Sequence, residues 1–199
     1  MSTIEAQLSS VSIEHNIQHD IEELFTECDD GDVSIVVGDE KLRAHKVILT
    51  ARSPVFNAMF ANKTTLESQK NEVNIEDLTS DVVRHILKYI YTDKIDDEAP
   101  IFDLFGAAEK YQLKGLKAKC AALIASNLHS QNAIDSLFYA NLYGPKELKE
   151  FIIDYICVHD LDVEASTDFI KLAESSKTWS DLLVEVYVAQ ISKRRNKEE

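Results

Sequence analysis

Residues 32–60 read DVSIVVGDEKLRAHKVILTARSPVFNAMF, and they contain in order the signals of a β-hairpin, a short helix and a second helix with a capped start. Branched apolar residues alternate with their neighbours in the first strand: Val33, Ile35 and Val37. Gly38-Asp39 follows them and is typical of a tight turn. We therefore predict a hairpin from Asp32 to Arg43.

The two helices that follow the hairpin are marked by different signals. Apolar residues at helical spacing predict a short helix from Ala44 to Ala51. Ser53-Pro54 then supplies an N-cap and a proline at the first helical position, which predicts a second helix through Phe60. His45, at the junction of strand and helix, is interpreted as a structural hydrogen-bonding residue rather than a catalytic base.

Downstream of Phe60 the chain becomes almost entirely helical. We predict a polar loop over Ala61–Asn71 and a short strand over Val73–Ile75. Helices follow, and they are predicted after a cap at Thr79 or Ser80, over 101–111, 113–127 and 131–142, after Pro145, and over 166–173 and 179–191. The pattern predicts an α+β fold, in which a helical core with a short three-stranded sheet or hairpin precedes an all-α region.

The N-terminal region combines a polar arm, residues 1–12, with an apolar helical stripe. The stripe consists of Ile13, Ile17, Ile21, Leu24 and Phe25, and the opposite face carries His15, His19, Asp20, Glu22 and Glu23. Two interpretations remain open: the stripe contacts a second subunit, or it covers its own domain. Contact with a second subunit is favoured because a helix of so few turns is marginal without docking.

Composition limits the classes of function. The chain has 21 basic and 35 acidic residues, a formal charge of −14, which disfavours binding to the phosphate backbone of nucleic acid. Three distant cysteines give neither a disulfide framework nor a zinc site and indicate a reducing compartment. With no signal peptide and no apolar run of roughly 20 residues, the expected location is intracellular and away from the membrane.

No catalytic or cofactor motif is found in the sequence. His15 and His19 lie one helical turn apart and could ligate a metal, but no third ligand is evident. No serine or cysteine lies in a recognisable nucleophile motif, and no glycine-rich loop could hold a phosphate. We therefore expect no enzyme activity, no cofactor and no metal.

An ordered series of motifs resembles one family. The series consists of Asp32-Val33-Ser34, Ala44-His45-Lys46-Val47-Ile48-Leu49, Arg52-Ser53-Pro54-Val55-Phe56, Met59-Phe60, Tyr89-Ile90-Tyr91-Thr92 and Ala107-Ala108-Glu109-Lys110-Tyr111, with Leu113 and Leu116. It resembles BTB/POZ domains, and among them the branch of speckle-type POZ protein and its MATH–BTB relatives. The helices after Asn132 resemble the truncated BACK extension of that branch, so the resemblance covers about Ile17 to Ile191.

The resemblance implies a division of the chain into four parts. These are a flexible arm over 1–12, a BTB/POZ domain over 13–128 with an N-terminal dimerisation helix, a BACK-like helical region over 129–191 and a charged tail over 192–199. Thirty residues precede Gly31, too few for a MATH domain. The expectation is an isolated BTB–BACK chain, or a piece of a longer one, that forms homodimers or pairs with MATH–BTB relatives.

The resemblance also implies a dimer interface. Its apolar contacts would come from Ile17, Ile21, Leu24 and Ile48. Asp32 and Lys46 match charged positions near that interface, where a partly buried pair would set register rather than add stability.

A second implied site binds cullin-3. It would lie between the helix that ends at Phe60, the loop after it and the helices around Tyr91 to Tyr111. Its candidate residues are Met59, Phe60, Thr65, Leu66, Glu67, Tyr91 and Tyr111. The family's loop carries a hydrophobic–x–Glu motif. Here Glu67 fits the acid, but Thr65 stands at the apolar position, which Leu66 fills only if the loop shifts.

The expected function is therefore that of a dimeric adaptor or regulator of a cullin-3 RING E3 ubiquitin ligase in the nucleus or cytoplasm. The alternative is a self-associating scaffold or transcriptional co-regulator that binds no cullin. A monomeric linker of the Skp and elongin C type is disfavoured by the N-terminal stripe. The basic cluster Lys193-Arg194-Arg195-Asn196-Lys197 is either a nuclear localisation signal or a set of cations that favours a helix C-terminus.

Overall fold

The computed structural model describes residues 17–26, 30–61, 66–159, 161 and 177–198. Its elements are α1 (Ile17–Thr26), β1 (Val33–Val37), β2 (Glu40–Ala44), α2 (Lys46–Arg52), α3 (Pro54–Ala61), α4 (Leu66–Lys70), β3 (Glu72–Asn74), α5 (Ser80–Thr92), α6 (Ile101–Lys110), α7 (Lys114–Ser126), α8 (Ala133–Tyr143), α9 (Lys146–Val158) and α10 (Lys177–Glu198). Four features predicted from the sequence lie outside the described residues: the arm over 1–12, the start of the apolar stripe at Ile13, Thr65 and the helix over 166–173. The predicted α+β class is confirmed.

The chain divides by its packing into two compact units, Met1–Leu116 and Lys117–Glu199. This division falls within α7, whereas the sequence placed the domain boundary after residue 128. All described strands belong to the first unit. The boundary at 128 stays a prediction.

The sheet is small and has β1 at its centre, in the order β2–β1–β3. β1 pairs antiparallel with β2, with Val33 opposite Ala44, and parallel with β3, with Ile35 opposite Val73. The predicted hairpin is therefore confirmed. Ser34, which alternates with the apolar residues of β1, is also only 3% exposed, and its hydroxyl accepts a hydrogen bond from Arg43.

Side-chain caps start two helices at the predicted residues. The Ser53 hydroxyl accepts a hydrogen bond from the Phe56 N–H at 3.2 Å, at the third position of α3, and Pro54 begins the helix. Thr79 caps α5 in the same way by accepting from the Val82 N–H. These bonds satisfy amides that have no partner within the helix.

The second unit consists of helices that bury one apolar face each. Helix α9 packs against both α8 and α10. The buried residues include Leu137, Ile152, Ile156, Leu182 and Val186. Among the described residues, no helix is long and apolar enough to cross a membrane.

Two elements differ from their predicted extents. Helix α4 occupies part of the predicted polar loop over 61–71. The prediction missed this helix because residue propensities rarely indicate a helix of only five residues. Helix α10 was predicted to end at Ile191 but continues through Glu198. Lys193 in this extension pairs with Asp154 of α9 at 2.8 Å, and basic residues near a helix C-terminus favour the helix.

A glycine beside the sheet provides the first test. A Cβ on Gly31 would lie 2.6 Å from the carbonyl oxygen of Ala44, which is backbone and has little freedom to move. We expect Gly31→Ala to lower the free energy of unfolding by about 1–3 kcal/mol, measured by urea denaturation.

The matched control is Gly38→Asn in the hairpin turn. Gly38 has a φ of 57° and open space around it, and asparagine tolerates this conformation. We expect its unfolding free energy to stay within about 0.5 kcal/mol of the wild-type value. Equal losses in the two variants would contradict the close approach at Gly31.

Candidate protein–protein interface

An open apolar groove of about 390 Å³ lies between α1, α2 and α5. Its apolar lining is Ile17, Ile21, Val47, Ile48, Ala51, Ile90 and Tyr91, and we call this surface the apolar groove. Two of its side chains are largely exposed, Ile17 at 80% and Val47 at 73%. The groove thus presents branched apolar side chains to solvent at its edge while its floor is part of the core.

Three of the four apolar residues that the family resemblance assigned to the dimer interface meet in the apolar groove. Ile17 and Ile21 come from α1, and Ile48 comes from α2. Leu24 is 37% exposed and does not line the groove. The sequence missed Val47, although its position beside Ile48 in a short helix was a usable signal.

Helix α1 docks against α5 of its own unit without burying any residue completely. The Phe25 and Tyr91 rings lie 5.5 Å apart, and the Gln18 amide donates to the Thr92 carbonyl at 2.7 Å. Glu22 was predicted on the solvent face, but it forms an ion pair with Lys94. Because helical positions 18, 22 and 25 share one face, this face docks on α5 while Ile17 remains exposed.

His45 connects the hairpin to α5. Its backbone N–H donates to the Tyr91 hydroxyl at 2.7 Å, and its Nδ1 lies 2.9 Å from the same oxygen. Nε2 lies 3.2 Å from a carboxylate oxygen of Asp30. This pattern fits a Tyr91 O–H that donates to Nδ1 and an Nε2–H that donates to Asp30. The structural interpretation of His45 is consistent with these bonds.

Within one chain, the side chains of Asp32 and Lys46 bind other groups, and their pairing at a dimer interface stays a prediction. The Asp32 carboxylate accepts from the backbone N–H of Lys46 at 2.7 Å, at the start of α2. The Lys46 ammonium donates to Asn71 at 2.5 Å and lies 4.8 Å from the centre of the Phe60 ring. Asp32 and Lys46 line a second open groove of about 330 Å³, which shares Val47 with the apolar groove.

The structure separates the residues assigned to cullin binding. Tyr111 is 1% exposed, and its ring stacks on the Phe56 ring at 4.9 Å. Its backbone carbonyl accepts a hydrogen bond from the Ser53 hydroxyl. It is a core residue, so its assignment to a contact surface is wrong. Tyr91 is 5% exposed and lines the apolar groove, which corrects its assignment as well.

The remaining cullin candidates lie on α3 and α4. Met59 is partly exposed, Phe60 is 8% exposed, and Glu67 is partly exposed near the start of α4. Leu66 begins α4, but its side chain and Thr65 lie outside the described part of the chain. The apolar position of the motif therefore stays a prediction.

The described residues were also compared with what a metal site or a reactive cysteine would require. Among the described residues, no group of three His, Cys, Asp or Glu side chains could hold a metal ion. Cys120 and Cys157 are buried thiols, and burial raises the pKa of the Cys120 thiol to about 12. A thiol with such a pKa is a poor nucleophile at neutral pH.

An open apolar groove beside a small sheet flanked by helices is typical of a protein-interaction module. The family model of the BTB/POZ domain matches residues 21–128, more than half of the chain, so the chain belongs to the BTB/POZ family. BTB/POZ domains are protein–protein interaction modules that generally form dimers and are generally not enzymes. The predicted BTB/POZ family is confirmed, whereas the branch of speckle-type POZ protein and the BACK-like extension stay predictions.

Relatives of known sequence include proteins with further domains. The Caenorhabditis elegans protein named BTB and MATH domain-containing protein 42 is 31% identical over 171 residues, which are 84% of this chain and 40% of the relative. The mouse protein named TD and POZ domain-containing protein 3 is 36% identical over 155 residues, 76% of this chain and 41% of the relative. The chain thus spans about two fifths of the length of these curated relatives.

A solved structure of the BTB domain of zebrafish PATZ1 is also similar to this chain. The two are 27% identical with a TM-score of 0.47, and the match covers 55% of this chain and 89% of the zebrafish domain.

The hydroxyl of Tyr91 provides a test of the junction at His45. We expect Tyr91→Phe to lower the free energy of unfolding by about 1–3 kcal/mol, because the part-buried His45 N–H loses its acceptor. Urea denaturation measures the loss. Tyr155→Phe in the second unit keeps the ring that stacks on His159 and should change stability little. An unchanged midpoint for Tyr91→Phe would show that the junction does not depend on this hydroxyl.

Proposed function

We propose that this chain is a dimeric adaptor or regulator of a cullin-3 RING E3 ubiquitin ligase, and that two copies pair through the apolar groove. The observation that carries the dimer is the exposure of Ile17 and Val47 on either side of the groove in a single chain. Contiguous apolar surface of this kind is typical of an interaction site.

A second copy is the natural occupant of this groove. A two-fold axis would bring α1 and α2 of each copy against the same helices of the other, so that one patch is buried twice. The groove is lined on both sides by branched aliphatic residues of similar size, which is what a self-complementary contact needs. Family membership supports the same conclusion, since BTB/POZ domains generally self-associate.

The cullin contact is supported by the surface of α3 and α4. Met59 and Glu67 are both partly exposed, and Phe60 is 8% exposed. The Lys46 ammonium over the Phe60 ring holds this aromatic side chain in place. An apolar residue supplied by the loop before Glu67 would complete the site.

The proposal also covers the helices of the second unit and a role for MATH-containing relatives. In this proposal, helices α8, α9 and α10 form the BACK-like region expected from the resemblance to the branch of speckle-type POZ protein. Similarity to a protein whose name includes a MATH domain supports heterodimers in which the relative supplies substrate recognition. In this proposal the chain has no catalytic role, and it acts in the nucleus or cytoplasm, where its buried cysteine thiols stay reduced.

A second candidate function is a self-associating scaffold or transcriptional co-regulator that binds no cullin. The burial of Tyr111 and the position of Tyr91 in the apolar groove favour it, because they remove two residues from the proposed cullin surface. Both candidates share the dimer, and they differ only in whether α3 and α4 bind a cullin.

The dimer is tested by placing charges in the apolar groove. We expect Ile17→Lys with Ile21→Lys to give a folded monomer, because each side chain would otherwise bury apolar surface worth about 1.5–3 kcal/mol. Light scattering measures the mass. Val158→Lys is the control, since Val158 is 62% exposed in the second unit and should leave the dimer intact. A dimeric double variant would exclude the groove as the interface.

The cullin contact is tested in the loop and α4. We expect Leu66→Asp to abolish binding to the N-terminal region of cullin-3 in calorimetric titration, since losing a central apolar anchor costs about 2 kcal/mol or more. Glu67→Ala should weaken binding less, because an acid at the rim mainly orients the partner. Thr65→Met should tighten binding by restoring an apolar side chain at the motif position.

The matched control for Leu66→Asp is Leu142→Asp, at an exposed leucine of the second unit. Both variants should remain dimeric. If Leu66→Asp and Thr65→Met leave the affinity unchanged, or the wild-type dimer fails to bind at micromolar concentration, the scaffold function replaces the adaptor function.

A further inference from the structure

The end of α5 is bonded to the two helices that form the sides of the apolar groove. Three consecutive residues make these contacts: Thr92, Asp93 and Lys94. We call them the α5 turn. Thr92 and Lys94 contact α1, and Asp93 contacts α2.

On the α1 side, the contacts are polar. The Thr92 carbonyl would lack a partner at the end of its helix, and it accepts the Gln18 amide at 2.7 Å. Lys94 pairs with Glu22 one helical turn further along α1. The hydrogen bond from Lys94 is the main cause that holds the pKa of Glu22 below its ordinary value, which favours the charged carboxylate.

On the α2 side, Arg52 makes a bridge. Its Nη2 donates to the Asp93 carboxylate at 2.6 Å, and its Nε donates to the Ile90 carbonyl at 3.1 Å. The guanidinium also lies 5.5 Å from the centre of the Tyr89 ring. Arg52 therefore fixes the last residues of α2 against the end of α5.

The α5 turn is itself held in one conformation. Asp93 has a φ of 60°, and its N–H donates to the Tyr89 carbonyl at 2.8 Å, which closes the helix in the left-handed conformation. The Thr92 hydroxyl donates to the Lys88 carbonyl at 2.7 Å and accepts the Lys94 N–H at 3.1 Å. Because the α5 turn is fixed in this way, it holds α1 and α2 in defined positions relative to each other.

We propose that the α5 turn positions α1 for dimerisation, with Glu22 and Lys94 as the positioning pair. The inference rests on the proposed dimer and adds the residues that regulate its geometry. Because no residue of α1 is fully buried, few contacts decide where the helix lies. A change in the pair then displaces Ile17 and Ile21, which line the groove.

The experiment is a charge exchange within the pair. Lys94→Glu alone, and Glu22→Lys alone, place like charges opposite each other and should each raise the dimer dissociation constant about three- to tenfold. The double variant, Glu22→Lys with Lys94→Glu, restores the attraction with the charges reversed and should return the constant to within about twofold of wild type. Sedimentation velocity measures each constant.

The control is Lys41→Glu, which makes the same change in charge as Lys94→Glu. Lys41 pairs with Glu72 across the sheet at 2.9 Å and does not line the groove. The dimer dissociation constant of the Lys41→Glu variant should equal that of the wild-type chain. The inference is overturned if Lys94→Glu behaves like Lys41→Glu, or if the double variant is as weak as the single variants.

Hydrogen exchange separates this inference from the dimer itself. The backbone amides of 17–26 should exchange faster in each single variant and at the wild-type rate in the double variant, in dimer and monomer alike. A wild-type chain that stays monomeric would refute the proposed dimer, and the exchange rates would then still decide whether the turn positions α1. Unchanged exchange in both single variants would refute the positioning role.

Discussion

The bond between His45 and Tyr91 links the elements on which the interaction surface depends. It ties the junction of the hairpin and α2 to the last turn of α5, through a backbone amide and a ring nitrogen that share one hydroxyl oxygen. The Tyr91 ring then contacts Phe25, so the same side chain reaches α1. Sheet, α2, α5 and α1 thus meet around one buried tyrosine.

In this arrangement, the face of α1 that stabilises the single chain differs from the face that is available to a partner. The face of α1 that carries Gln18, Glu22 and Phe25 is used within the chain, while Ile17 on the adjoining face is 80% exposed. Two polar contacts and one aromatic contact hold the helix and leave Ile17 exposed. The free energy available from burying aliphatic groups, about 25 cal/mol per Å², therefore remains for a partner.

The sequence predicted the elements whose signals are local. The alternation in β1, the cap at Ser53 and the cap at Thr79 each depend on a few adjacent residues, and the structure contains all three. Ile17, Ile21 and Ile48 line one groove in the structure. Their assignment to a dimer interface comes from the family resemblance and stays a prediction.

The sequence failed where tertiary partners decide. The family resemblance placed Tyr111 at an interface, whereas its stack on Phe56 shows that it belongs to the core. The family resemblance suggested that Asp32 and Lys46 pair, but within the chain the carboxylate accepts from a backbone amide and the ammonium donates to Asn71. Neither outcome follows from spacing, because both partners come from other elements.

If the apolar groove holds a second copy of this chain, the unmodified protein in solution has the mass of a dimer. Sedimentation equilibrium at micromolar concentration should give twice the 22.5 kDa of one chain, with the monomer appearing only on dilution. A mass of 22.5 kDa throughout that range would contradict the account.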